Sequence, residues 1–115
     1  MKKLRLQPVL FLVLLVILTG GCSLEREVRY EVDGTASLVN ITIEGSGGGT
    51  EQYSDVIPPW SYNFSAMKDD FIYVSAQNQT ATGSVTVRIK VDGDVVEQSS
   101  SNGAYVIATA YGSVE

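Results

Sequence analysis

The sequence predicts an all-β domain, a sandwich or a barrel of seven or eight antiparallel strands. Three observations carry that reading. Short segments with period-two alternation of apolar and polar residues recur along the chain. Gly, Asn, Asp and Pro separate them at the spacing of β-turns. No segment after residue 21 repeats its apolar residues with the 3.6 period of a helix.

The alternation assigns the strands in order. Residues 28–33 place Val28, Tyr30 and Val32 on one face, and Gly34-Thr35 turns the chain. Residues 36–44 place Val39, Ile41 and Ile43 together; Leu38 is out of phase, which predicts a bulge near Leu38 and Val39. The glycine-rich stretch 45–49 is a flexible loop and residues 50–57 the third strand. Pro58-Pro59 ends pairing, since neither residue has an N–H to donate. Residues 61–67 follow, then a turn at Lys68-Asp69-Asp70, then a strand over 71–77 that is apolar on both faces at its start. Residues 78–83 form a polar loop.

The clearest alternation is Ser84–Val91, with Val85, Val87, Ile89 and Val91 inward and Thr86, Arg88 and Lys90 outward. Asp92-Gly93-Asp94 is a hairpin signal. A loop on Gly93-Asp94 would place Lys90 opposite Glu97, Val96 inward and Val95 outward, and that register is the expectation. Residues 95–99 return, and 104–111 close the domain.

The first 21 residues stand apart as an expected secretory signal peptide. Lys2, Lys3 and Arg5 precede ten unbroken apolar residues, 9–18, and then the small residues Thr19, Gly20 and Gly21. The apolar run makes about 16 Å of helix, short of the bilayer's hydrocarbon core of about 30 Å. Cys22, the chain's one cysteine, follows at once. Leu18-Thr19-Gly20-Gly21-Cys22 resembles a relaxed lipobox, with Thr19 where such motifs usually carry Leu. The resemblance implies a diacylglycerol on the sulfur of Cys22 and cleavage before it. The expected organisation is then a signal peptide over 1–21, a lipidated tether over 22–27 and the β domain over 28–115. The protein would sit outside the cytoplasm, anchored to the cell membrane or the outer membrane.

From Cys22 onward the chain carries all 13 acidic residues and five basic ones, Arg26, Arg29, Lys68, Arg88 and Lys90, a formal charge of −8. Such a surface repels nucleic acid and anionic headgroups, so attachment rests on the lipid. The residue inventory argues against an enzyme. There is no histidine to act as general base or metal ligand, and a lipidated Cys22 is no nucleophile. Asp69-Asp70 reads as a solvated turn rather than an acid–base pair. Asp92-Gly93-Asp94 lacks the further oxygen ligands of a calcium loop. No catalytic residue, metal site or cofactor is expected. The one candidate surface is aromatic: Tyr53, Trp60 and Tyr62, with Phe64 beside them. Trp60 is expected to cap the core; the alternative is that it lines, with Tyr53 and Tyr62, a patch for a partner or a glycan.

Several pieces of the chain match one pattern together: Val28-x-Tyr30-x-Val32-x-Gly34, Ile41-Thr42-Ile43, Pro59-Trp60-Ser61, Ser75-Ala76-Gln77-Asn78, Arg88-Ile89-x-Val91-Asp92-Gly93 and Gly103-Ala104-Tyr105. In that order the sequence resembles the MmpS family of small mycobacterial membrane proteins. The resemblance implies an immunoglobulin-like β-sandwich outside the membrane. It also implies a role beside MmpL transporters of the RND superfamily, in export of lipids and siderophores. Family members are usually held by an N-terminal transmembrane helix, where this chain has a lipobox. A free-standing lipid-anchored module that binds a glycan, a small molecule or another envelope protein is the alternative.

Overall fold

The structure, a computed structural model, describes residues 24–115; the expected signal peptide and Cys22 lie outside the described residues. Among the described residues there are eight strands: β1 (Glu25–Asp33), β2 (Val39–Glu44), β3 (Thr50–Val56), β4 (Trp60–Met67), β5 (Phe71–Asn78), β6 (Ser84–Val91), β7 (Asp94–Asn102) and β8 (Ile107–Ser113). They form two four-stranded sheets, ordered β4-β1-β6-β7 and β3-β2-β5-β8, and every pairing is antiparallel. Only the β2–β3 and β6–β7 connections are hairpins within a sheet; every other link between consecutive strands passes to the opposite sheet. The layers are those of an immunoglobulin-like sandwich, with a strand order of its own.

The core is what the alternation demands. Val28, Tyr30 and Val32 of β1 and Val85, Val87 and Ile89 of β6 meet Val39, Ile41 and Ile43 of β2 and Ile72, Val74 and Ala76 of β5. These four strands are central in their sheets, so their inward side chains lose water completely. Each buried aliphatic side chain contributes about 1.5–3 kcal/mol, and no disulfide is needed to close the core.

The two open sides of the sandwich differ. On one, β7 lies over β8, and its inward residues Glu97, Ser99 and Ser101, opposite Ile89, Val87 and Val85, are polar. Ala108, Ala110 and Gly112 are small enough to let the sheets close there. On the other side β4 lies over β3, and the inward residues are Trp60, Tyr62 and Phe64, opposite Val32, Tyr30 and Val28. Bulky rings hold that side apart.

Several expectations are corrected. β1 begins at Glu25, and Glu25, Arg26 and Glu27 pair with Met67, Ala66 and Ser65, so half of the expected tether belongs to the sheet. The register does shift beside Val39, but the extra residue is not Leu38. It lies in the facing strand, where Asn40 meets both Ser54 and Asp55, and Asp55 takes a positive φ of 56°. The Asn40 side chain accepts the Asp55 N–H at 3.0 Å. The 45–49 loop is internally bonded, with the Gly45 N–H donating to the Gly49 carbonyl at 2.8 Å. Phe71 is 53% exposed beside the buried Ile72, so β5 starts apolar on both faces but buries one. β8 starts at Ile107 rather than at 104.

The hairpin register also differs. Val91 pairs with Asp94 across a two-residue loop, Asp92-Gly93, with positive φ at both residues (49° and 89°). Primed turns match strand twist and take Asp-Gly readily, and this preference outweighs the few tenths of a kcal/mol of a Lys90–Glu97 pair. Lys90 faces Val95, Ile89 faces Glu97, and Val96 is the extra residue of a bulge. Val95 is outward as expected. Val96 is not buried as an inward residue would be: it is 47% exposed, at the rim of a cleft it lines with Ile72, Val91 and Gly112.

Candidate functional site

The aromatic residues singled out in the sequence are brought together at the β3–β4 side. Trp60 and Tyr62 are two apart on β4 and so share a face; their rings stack at 6.2 Å with 9° between planes. Tyr53 reaches across from β3, its ring 5.2 Å from Trp60 and tilted by 53°. Phe64 continues the row, 5.7 Å from Tyr62. Behind them lies Tyr30, 5.1 Å from Phe64 and 6.4 Å from Tyr62. The result is a ladder of rings in the mouth between the sheets. Trp60, Tyr62, Phe64 and Tyr53 are all half-buried and packed on the core. Trp60 therefore caps the core with one face and leaves the other part open.

Polar groups rim this seam. The Tyr53 hydroxyl donates to Glu51 Oε1 at 2.6 Å, and the Tyr62 hydroxyl sits 3.5 Å from Glu51 Oε2. The bond to Glu51, then burial, pushes the Tyr53 hydroxyl up to about 12. It stays a donor throughout the physiological range. An alternation of apolar ring faces with fixed hydroxyl and carboxylate groups can stack on a flat or apolar ligand and orient it by hydrogen bonds. Composition alone does not single out Glu51; a carboxylate two residues from Tyr53, on the same strand face, is the available signal.

A second feature lies beyond the sequence reading. On the outer face of the first sheet, Glu31 Oε2 meets Arg29 Nε at 2.8 Å and Lys90 Nζ at 3.3 Å. Its Oε1 meets Arg88 Nη1 at 3.3 Å, and Arg88 also binds Asp33 Oδ2 through both Nη atoms at 3.0 Å. Arg29 extends to Asn63 Oδ1 at 3.1 Å. The hydrogen bond from Arg29, followed by the contact with Lys90, holds the Glu31 carboxyl below the usual carboxylate range despite some burial. The Asp33 carboxylate, with Glu31 behind it, raises Arg88. Three of the five basic residues outside the first 21 belong to this ladder.

At the far end of the sandwich Asn78, fully buried, ties the β5–β6 loop to the β7–β8 loop. Its Nδ2 donates to the Thr82 and Gly103 carbonyls at 2.9 Å, and its Oδ1 accepts from Thr80 N–H and Oγ1 at 2.8 and 2.7 Å. This is structural. A separate cleft at the β7–β8 side is lined by Arg26, Asp92, Asp94, Glu97 and Glu115; it lies away from the rings. Among the described residues no group of three His, Cys, Asp or Glu side chains is arranged to hold a metal ion. Among the same residues no helix is long and apolar enough to cross a membrane.

Fold and seam define the class as a small all-β sandwich whose distinguishing surface is an aromatic mouth between two sheet edges. Over residues 24–114 the chain matches the family described as Mycobacterium membrane protein, the MmpS-type family, and it belongs to that family. Association with membranes fits that membership. No curated protein matches the sequence. Among solved structures, a calcium-dependent carbohydrate-binding module aligns at 19% identity and a TM-score of 0.41, over 61% of this chain and 60% of that one. The chain thus spans about three-fifths of that module.

Proposed function

We propose that this chain is a lipid-anchored, extracytoplasmic accessory protein of an MmpL/RND-type envelope transporter, acting by binding rather than by catalysis. The observation that supports it is the family match over nearly the whole described domain, joined to the Leu18–Cys22 motif directly before that domain. The lipid on Cys22 would take the place of the N-terminal transmembrane helix found elsewhere in the family. A domain that starts its first strand at Glu25 leaves two residues between that cysteine and the sheet. Such a short tether holds the sandwich close to the bilayer, within reach of a transporter's extracytoplasmic domain. Tyr53, Trp60 and Tyr62 are the surface offered to the partner, since half-buried aromatic rings supply much contact area at small entropy cost.

Affinity isolation of the tagged full-length protein from native membranes tests this reading. An RND transporter should co-purify, and Trp60→Ala should reduce its recovery several-fold without releasing the protein from the membrane. Absence of any transporter from crosslinked membranes would contradict it.

The aromatic seam favours one second reading, a free-standing lipid-anchored module for a glycan, a small molecule or another envelope protein. Rings rimmed by Glu51 and tyrosine hydroxyls suit the face of a sugar. Quenching or shift of the fluorescence of Trp60, the chain's one tryptophan, on titration with envelope glycans separates the two.

A further inference from the structure

We infer that β4 is a dimer edge: two copies of this chain pair antiparallel along it, centred on Asn63, and join their aromatic ladders into one strip. Two independent features of β4 carry this. The first is that no residue of the strand itself guards its backbone edge, which among the described residues has only the Ser46–Gly48 turn beside it near Phe64 and Ala66. Proteins protect edge strands with charges, bulges, prolines or cover. The edge strand β3 carries Glu51 and Asp55 and a bulge. The edge strand β7 carries Asp94 and Glu97 and a bulge. The edge strand β8 is uncharged, but β7 leans over it, with Ser101 Oγ donating to the Ile107 carbonyl at 2.7 Å. β4, Trp-Ser-Tyr-Asn-Phe-Ser-Ala-Met, has no charge, no proline and no bulge over eight residues. It pairs in unbroken register with β1 on one side and is last in its sheet on the other.

The second feature is self-complementarity. In an antiparallel pair, directly opposed side chains lie on the same face, and only registers that match even residues to even keep the rings inward. With Asn63 opposite its own copy, Tyr62 meets Phe64, and the large Trp60 meets the small Ala66. On the outer face Ser61 meets Ser65. No like charges are opposed in a domain whose net charge is otherwise strongly negative. A pairing centred on Phe64 instead opposes Phe64 to itself and leaves Trp60 without a partner. A two-fold axis through Asn63 is isologous and closes at two copies. The half-buried rings of β4 gain cover, and the seam becomes a composite of both copies. This pairing does not depend on a transporter being the partner.

The test uses the full-length protein in membranes. Asn63→Cys should give a disulfide-linked dimer on mild oxidation, because directly opposed Cα atoms in such a pair are about 4.5–5.5 Å apart, within the span of a disulfide. The native chain and Ser100→Cys on β7 should not. As a second measurement, Asn63→Asp keeps a partner for Arg29 but opposes two carboxylates on the axis. It should raise the dissociation constant at least tenfold in detergent sedimentation while leaving the thermal midpoint of the fold unchanged. Three results would overturn the inference. One is crosslinking of the Asn63→Cys variant no greater than that of the Ser100→Cys variant. Another is crosslinking of Asn63→Cys to a different polypeptide in place of its own copy. The third is a native protein that is monomeric at all concentrations.

Discussion

The Tyr30 hydroxyl crosses from one sheet to the other, where it donates to the Glu44 carbonyl oxygen at 2.6 Å. The hydroxyl oxygen in turn accepts the Tyr73 N–H at 3.1 Å. Glu44 and Tyr73 are a registered pair of β2 and β5, so one side chain of the first sheet closes a gap in the ladder of the second. Tyr30 is otherwise wholly buried. Tyr30→Phe keeps the ring but leaves a carbonyl and an N–H without this partner. It should destabilise the domain by about 1–3 kcal/mol, read as a lower denaturant midpoint with an unchanged slope.

The same tyrosine makes stability depend on alkaline pH. Burial is the main cause that pushes its hydroxyl up to about 12 from an ordinary 10. The raised group contributes stability that is fully present below pH 10 and is lost as pH rises toward 12. Unfolding free energy should therefore fall between those values in the native protein, and more gently in Tyr30→Phe. Equal slopes for the two proteins would remove Tyr30 from the explanation.

Two glycines should respond differently to alanine. Gly93 has a positive φ of 89° and nothing within 4 Å of where a Cβ would stand, so Gly93→Ala costs backbone strain alone, about 1–2 kcal/mol. At Gly34, φ is 128° and a Cβ would overlap the Ser84 carbonyl group, 2.8 Å from its carbon. Strain and overlap act together there, and Gly34→Ala should cost about 3 kcal/mol or more. Thermal midpoints of the two variants, measured side by side, check the order.

The hairpin gives a third comparison. With Val95 and Val96 49% and 47% exposed, Val95→Asp and Val96→Asp should each change stability by about 1 kcal/mol or less. Ile89→Asp, one strand inward, should abolish folding through an unpaired buried charge. A Val96→Asp as damaging as Ile89→Asp would contradict the bulge.

Alternation makes the inward faces of β1, β2, β5 and β6 legible, because central strands must bury one face whatever their neighbours do. Ser84–Val91 is readable to its ends for that reason. Edge strands are harder. Burial constrains them on fewer sides, so β7 can take a bulge that puts Glu97 opposite Ile89, and local turn preference decides the register. The start of β1 escapes the pattern because Glu25-Arg26-Glu27 is charged on every residue and pairs mainly through backbone. A soluble truncation should accordingly begin at about residue 24 and not at 27. For the site, Tyr53, Trp60 and Tyr62 stand out as a composition signal. That they stack, with Glu51 at the rim, depends on which strands lie at the edge of each sheet, and no local pattern encodes that. The Arg29–Glu31–Arg88–Asp33–Lys90 ladder likewise needs β1 beside β6, strands more than fifty residues apart.

A lipid on Cys22 is proposed to hold this sandwich at a membrane, and the mass of the mature N-terminus reads that lipid out without any partner. The mature protein should begin at Cys22 and carry at least a diacylglycerol on the sulfur, and Cys22→Ala should accumulate as an unprocessed precursor or leave the membrane. A mature protein that retains residues 1–21 with an unmodified Cys22, and a Cys22→Ala variant that stays membrane-bound, would contradict it.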